Sequence, residues 1–361
     1  MMMRSNRGLY SILFIFIIIL SLSGFVSAEF VGHIEENCVK VYDNDGNYIF
    51  STAMKVSKGD RYINQDNMEY IVESINGNRA IARKVGEVDL LEGIKTKAGE
   101  LLPLAAGGKK LIAVYHTHNG ESYLPGPENI PDRGEIHEIG RAFKEALEKK
   151  GIRAIQSDNL HLPHDGAAYE RSRATAVNLL KKRPDAIFDL HRDAVPSRKE
   201  YLTRVNGKVV SQVRLVVGRQ NPNREVNEKF AKQLKAVADK QYPGLIRGIF
   251  FGRGSYNQHL SPHALLLEFG THVISEGQAR TSAIMLADTI NTLLYGAGAR
   301  PGQAQQSEEN KSAFTNLILV GAVVIIGLVI YLYLNEGSFE GVIRRLKRFL
   351  GREVLDKGDN K

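Results

Sequence analysis

Leu111-Ile-Ala-Val-Tyr115-His116-Thr-His118-Asn-Gly-Glu121-Ser-Tyr123 decides the fold. A short apolar run, with no alternation, ends abruptly in imidazoles and a carboxylate. Such a run reads as a strand buried on both faces. The pattern recurs in Ala186-Ile-Phe-Asp-Leu-His191-Arg192-Asp193 and in Ala264-Leu-Leu-Leu-Glu268-Phe-Gly-Thr-His272. Between these runs the apolar spacing turns helical. Ile139, Phe143, Ala146 and Leu147 mark one face over 136–150, and Gly151 is the stop. Helices are also expected over 169–182, 223–240 and 278–294, and strands over 152–155, 209–217 and 246–251. Strand–helix alternation implies an α/β domain over 106–296, with a mostly parallel sheet and helices on both faces. Sites in such sheets lie beyond the carboxyl ends of the strands, where the three polar ends can converge.

Residues 29–105 read differently. Val39-Lys-Val-Tyr, the turn Asp43-Asn-Asp-Gly-Asn47 and Tyr48-Ile-Phe form one hairpin signal. Glu69 to Ile75, Asn76-Gly-Asn78 and Ala80-Ile-Ala repeat it. A small antiparallel β domain is expected here, without catalytic residues. At the N-terminus, Arg4 and Arg7 precede the apolar run 9–22 and Val26-Ser-Ala28, so 1–28 reads as a signal peptide or an uncleaved anchor. Residues 297–313 read as a flexible linker, and 314–334 as a transmembrane helix with an uncharged run at 317–334. The tail 335–361 is basic and cytoplasmic, either an amphipathic helix on the inner leaflet or a stop-transfer cluster. The catalytic unit then stands on the extracytoplasmic side of the cytoplasmic membrane.

The 361 residues carry 48 Lys and Arg against 40 Asp and Glu, a net charge of +8, and are 43% hydrophobic. That balance excludes a disordered chain. One cysteine, Cys38, excludes an intramolecular disulfide framework and a cysteine-based zinc cage. Half of the positive surplus sits in residues 1–28 and 335–361, so it belongs to membrane topology and no nucleic-acid partner is expected.

Two imidazoles and a carboxylate with an open fourth position make a catalytic zinc site, and a further carboxylate beside it can act as general base. The three strand ends supply those residue types. His116 is placed on the same face as His118. His161 and His164 flank Pro163 in a loop and read as solvent-exposed, while Glu268 reads as the start of a loop at the sheet edge. Arg192 and Asp193 suit orientation of a substrate or of His191. An H-x-H at a strand end also opens some metal-dependent phosphoesterase sites, but the later strand ends here suit one metal. A non-catalytic binding scaffold on the same fold is the other alternative. Neither G-x-S-x-G nor a Walker loop occurs.

His116-Thr-His-Asn-Gly-Glu-Ser-Tyr, Tyr169-Glu-Arg-Ser-Arg, Asp189-Leu-His-Arg-Asp-Ala-Val, Tyr242-Pro-Gly-Leu-Ile-Arg-Gly-Ile, Tyr256-Asn-Gln-His-Leu-Ser and Leu266-Leu-Leu-Glu-Phe-Gly carry a resemblance. Over about residues 36–293 the chain resembles the stage II sporulation protein P family of peptidoglycan hydrolases, itself similar to zinc-dependent N-acetylmuramoyl-L-alanine amidases. The resemblance implies cleavage of the muramoyl–L-alanine amide, and of peptide cross-links as well, during sporulation. It implies Zn2+ as cofactor, with His118 and His191 as imidazole ligands and Glu268 as the catalytic carboxylate. The third ligand is taken as Glu121. Glu135 and Glu138, at the start of the first helix, are the alternatives. His116, Arg192, Asp193 and Asn257 are assigned to substrate binding. Implied partners are peptidoglycan, the membrane, and stage II sporulation proteins D and M. The addition of 314–361 departs from the family's usual single N-terminal anchor and points toward a membrane-tethered paralogue.

Overall fold

In the computed structural model the described residues are 38–92, 103–105, 108–296 and positions 338, 340, 341 and 343. Thirteen strands are labelled β1 (Val39–Tyr42), β2 (Tyr48–Thr52), β3 (Arg61–Asn64), β4 (Met68–Asn76), β5 (Arg79–Glu87), β6 (Leu111–Tyr115), β7 (Arg153–Gln156), β8 (Ala186–Asp193), β9 (Leu202–Val205), β10 (Lys208–Ser211), β11 (Val213–Gly218), β12 (Ile246–Gly252) and β13 (Ala264–Thr271). The helices are α1 (Ile136–Glu148), α2 (Ala168–Leu180), α3 (Arg224–Gln241) and α4 (Glu276–Tyr295). β9 and β10 pair as a separate hairpin. The other eleven strands form one sheet in the order β2-β1-β5-β4-β3-β12-β11-β13-β8-β6-β7.

That sheet corrects two expectations. It is mixed rather than mostly parallel, and the N-terminal strands are not a sheet of their own. β3 pairs antiparallel with β12, Ile63 opposite Ile249, so β1–β5 cover an edge that the α/β part would otherwise expose. The direction also reverses within the α/β part. β6, β7, β8 and β13 run parallel, but the chain leaves β8 through the β9–β10 hairpin and returns as β11 antiparallel to β13. The α3 crossover then sets β12 parallel to β11.

β6 and β8 are buried along their whole length because both sheet faces are covered. On one face α1, α3 and α4 pack Ile139, Phe143, Phe230, Leu234, Leu286 and Ile290 into the largest apolar cluster. On the other, Ala176 and Leu179 of α2 cover Ala113, Tyr115 and Ile187. Farther along that face Phe50, Tyr62 and Val72 of the N-terminal strands pack with Val216, Phe250 and Leu266. α4 starts in a capping box between Ser275 and Gln278 and ends at Gly296 with φ 66°.

Among the described residues no helix is long and apolar enough to cross a membrane. The expected signal segment 1–28, linker 297–313 and span 314–334 lie outside them, as does most of the tail 335–361. Of that tail, Glu340, Gly341 and Ile343 are helical.

Candidate metal centre

β6 and β8 deliver the key side chains. Immediately after β6 the chain turns tightly, so His118 and Glu121 project toward the end of β8. Glycine is required at 134, because a Cβ there would lie 2.1 Å from the Glu121 carbonyl oxygen. His118 Nδ1 and His191 Nδ1 each lie 3.3 Å from Glu121 Oε1. The donor atoms of His118, Glu121 and His191 all fall within 4.8 Å of one another. Glu121 Oε2 accepts the Arg192 backbone N–H at 2.8 Å, which leaves Oε1 facing the imidazoles.

Asp189 stands two residues before His191 on the same face of β8, with its Oδ1 3.0 Å from His191 Nε2. The contact is close yet misaligned for a hydrogen bond, so its effect is chiefly electrostatic. Asp189 is itself fixed by Thr117, whose N–H and hydroxyl donate to it at 2.8 and 2.6 Å. Asp189 and Glu121 on opposite sides of the ring hold His191 well above the usual imidazole range, although burial alone would lower it. Glu121 is pushed up by burial but held well below the usual carboxylate range by His191 and its hydrogen bonds.

Glu268 is the second carboxylate. It lies inside β13, not at the start of a loop, opposite His191 on β8 and Arg214 on β11. Its Oε2 is buried without a hydrogen-bond partner among the described residues. Burial, and then the Asp193 carboxylate, push its pKa well above the usual range. Two imidazole nitrogens, one ionised carboxylate and an unpartnered buried oxygen beside them suit zinc, which takes nitrogen and oxygen ligands and leaves a position open in catalytic sites.

His118, Glu121, His191 and Glu268 line a cleft of about 830 Å³. Its other walls come from Ala53–Lys55 after β2, from Tyr169 and Arg173 of α2, and from Arg253–Asn257 after β12. Ala53 N–H donates to Asp193 Oδ1 at 2.8 Å, which ties the N-terminal strands to the strand carrying His191.

Of the other expected residues, His116 stands away from this cleft. It is fully buried, with Nδ1 3.2 Å from the Leu190 carbonyl and Nε2 3.1 Å from Gln156. It packs on His137, because the loop after β6 turns before His118 and the two imidazoles part. The Arg192 guanidinium clamps the loop after β6 through Ser122 O, Glu128 O and Asn129 Oδ1. Asp193 accepts from Tyr201 and Arg214 as well as Ala53. Asn257 lines the cleft but spends its amide on Tyr169 O and Ser172 Oγ. Glu135 accepts the Tyr123 N–H and Glu138 pairs with Arg141, so neither joins the cluster.

His161, read as exposed, is buried and bonded to His116 O at 2.8 Å. His164 stays exposed and stacks on His118 with ring centroids 4.1 Å apart. Asp189 is absent from the site residues expected above, and its signal in the sequence is the i−2 spacing to His191 within a strand. Asp189→Asn should weaken zinc binding about 10–100-fold, because partners outside the ligand set orient and charge the ligating imidazole. A chelator competition assay measures this.

The stage II sporulation protein P (SpoIIP) family profile matches residues 39–291, which include every element from β1 to β13 and most of α4. The chain belongs to this family. A stage II sporulation protein P of Bacillus subtilis (strain 168) is 35% identical over 212 residues. That match takes in 53% of this chain and 53% of the relative, so the chain spans about half the length of the curated SpoIIP protein. Solved structures with similarity include the amidase Ami1 of Mycobacterium smegmatis, at TM-score 0.36 and 16% identity over 54% of this chain and 100% of that one. The CwlD amidase of Clostridioides difficile, solved in complex with the GerS lipoprotein, gives 0.35 and 12% over 50% and 94%.

Proposed function

We propose that this SpoIIP-family chain is a zinc-dependent peptidoglycan hydrolase acting on the N-acetylmuramoyl–L-alanine amide, and on peptide cross-links, during sporulation. The observation that carries the reading is the His118–Glu121–His191 donor set with the unpartnered Glu268 Oε2 beside it in an open cleft. Family membership supports the wall and sporulation setting.

His118, Glu121 and His191 would hold the ion. When bound, zinc supplies Lewis acidity toward a carbonyl oxygen and toward water. Arg192 N–H keeps Glu121 oriented through Oε2, and Asp189 keeps His191 Nδ1 turned toward the donor cluster. Glu268 takes the proton of the attacking water at Oε2 and delivers it to the departing amide nitrogen. A carboxyl whose pKa is raised by burial can hold that proton between the two steps.

The apolar run 317–334 supports a membrane-tethered enzyme with its cleft on the extracytoplasmic side. Stage II sporulation proteins D and M belong to the same proposal as partners. Mass analysis of muropeptides after digestion by the zinc-loaded full chain tests the reading. Stem peptides with a free L-alanine amine are expected. Intact muropeptides that nevertheless bind the chain would replace the hydrolase with a scaffold.

A further inference from the structure

The outer part of the cleft differs in charge from its floor. Lys55, Arg173 and Arg253 line it from three separate elements, and all three are exposed. Among the described residues none of the three side chains has an ion-pair partner, although Arg171, Arg214 and Arg219 nearby are all paired. Glu170 is the one exposed acid with them on the cleft wall, and it makes no ion pair with Arg173 three residues on. The floor holds the carboxylates Glu121 and Glu268. Cations left unpaired around a cleft attract anionic groups, and a guanidinium suits a carboxylate in two-pronged geometry.

The backbone beneath two of these cations is held in place. Lys55 lies two residues beyond Ala53, whose N–H is bonded to Asp193 at 2.8 Å. Arg253 lies between Gly252 and Gly254, whose carbonyls accept the backbone N–H groups of Arg219 and Gln220, each at 2.9 Å. At Gly254 a Cβ would stand 2.7 Å from the Tyr256 ring, so the loop closes against that ring. Tyr169 and Tyr256 pack edge to face, with centroids 5.2 Å apart, and line the same cleft as the cations and the metal-binding side chains. A ligand that fills this cleft can therefore meet the aromatic pair and the cations while another part of it lies beside the metal-binding side chains.

We infer that Lys55, Arg173 and Arg253 form a carboxylate subsite that selects peptidoglycan stems whose side-chain or terminal carboxyls are free rather than amidated. This rests on the peptidoglycan reading above and adds the substrate feature that the cleft recognises. It also assigns the N-terminal strands a role in recognition, since they supply Lys55.

The test uses the full chain in detergent, zinc-loaded, with Glu268→Gln to prevent turnover. Binding is measured to two synthetic muropeptides, one with free stem carboxylates and one with the same carboxyls as primary amides. The free-acid form should bind about tenfold more tightly, with the gap narrowing as salt rises. Arg173→Gln with Arg253→Gln should erase the preference, while Arg173→Lys with Arg253→Lys should keep part of it. Equal binding of the two muropeptides by the chain with intact arginines overturns the subsite, as does a preference that persists in the double glutamine variant. Turnover is read separately in the chain that retains Glu268. If neither muropeptide is cleaved while the binding preference stands, the hydrolase reading fails and the subsite survives.

Discussion

Glu268→Gln is expected to lower kcat by about 10²–10⁴-fold, the usual range for losing a general acid–base group, and to leave zinc stoichiometry unchanged. Glutamine keeps the shape of the side chain but cannot take a proton from water. Glu268 is not one of the three clustered donors, so the metal should stay, and metal analysis with sacculus turbidity read side by side checks both halves. Full activity in this variant would remove Glu268 from the mechanism. The same substitution should stabilise the metal-free protein at neutral pH. In the fold the carboxyl has a pKa raised above its ordinary 4.5, by burial first and by Asp193 second. Above the folded value both folded and unfolded chains are ionised, and the cost of the buried charge is fully felt. Below 4.5 both are protonated and that cost is gone. The gain in the glutamine variant should therefore be largest at high pH and fade as pH falls. On the order of 2 kcal/mol, or about 5 °C in Tm, is expected from a buried charge lacking a partner. A residue whose removal stabilises the fold while ending turnover is one kept for chemistry.

His191→Ala should remove stoichiometric zinc and destabilise the metal-free fold by about 3–5 kcal/mol, because two buried carboxylates, Glu121 and Asp189, lose the cation between them. The pH window follows from the shifts. His191 has a raised folded pKa, so its contribution is complete below the unfolded value of 6.5 and is lost as pH rises through the folded one. Glu121 has a lowered folded pKa, so its contribution is complete above 4.5 and is lost as pH falls through the folded one. Between 4.5 and 6.5 both act in full, and thermal melts of chelated protein should show the largest gap between wild type and variant there. Zinc must displace the proton that His191 holds so firmly, so zinc affinity of the wild-type chain should climb as pH rises from 6 toward 8. A flat affinity across that range would mean His191 is not a ligand.

Much of the α/β half was legible because its signals are local. The apolar runs before His116 and Glu268, and the run before His191 broken only by Asp189, identified buried strands, and the spacing of Ile139, Phe143 and Leu147 identified α1. The period of a pattern depends only on neighbouring residues, so it survives without a tertiary model. Membership in the family was likewise carried by short motifs spread over most of the described chain.

What the sequence determined by itself was the kind of residue at each strand end: imidazoles after β6 and within β8, and carboxylates beside them. Tertiary structure decided which of these meet. The chain's local pattern treats His116 and His118 alike, yet one imidazole packs on His137 and the other turns to Glu121 and His191. Local pattern placed Glu268 at a sheet edge, whereas β11 pairs along its far side and encloses it between Arg214 and His191. It also read residues 29–105 as a domain apart, whereas β3 docks on β12 and brings Lys55 into the cleft. The physical reason is shared. Strand pairing is a long-range choice made by backbone hydrogen bonds and by whichever apolar faces need covering, and neither is written in the spacing of any one segment.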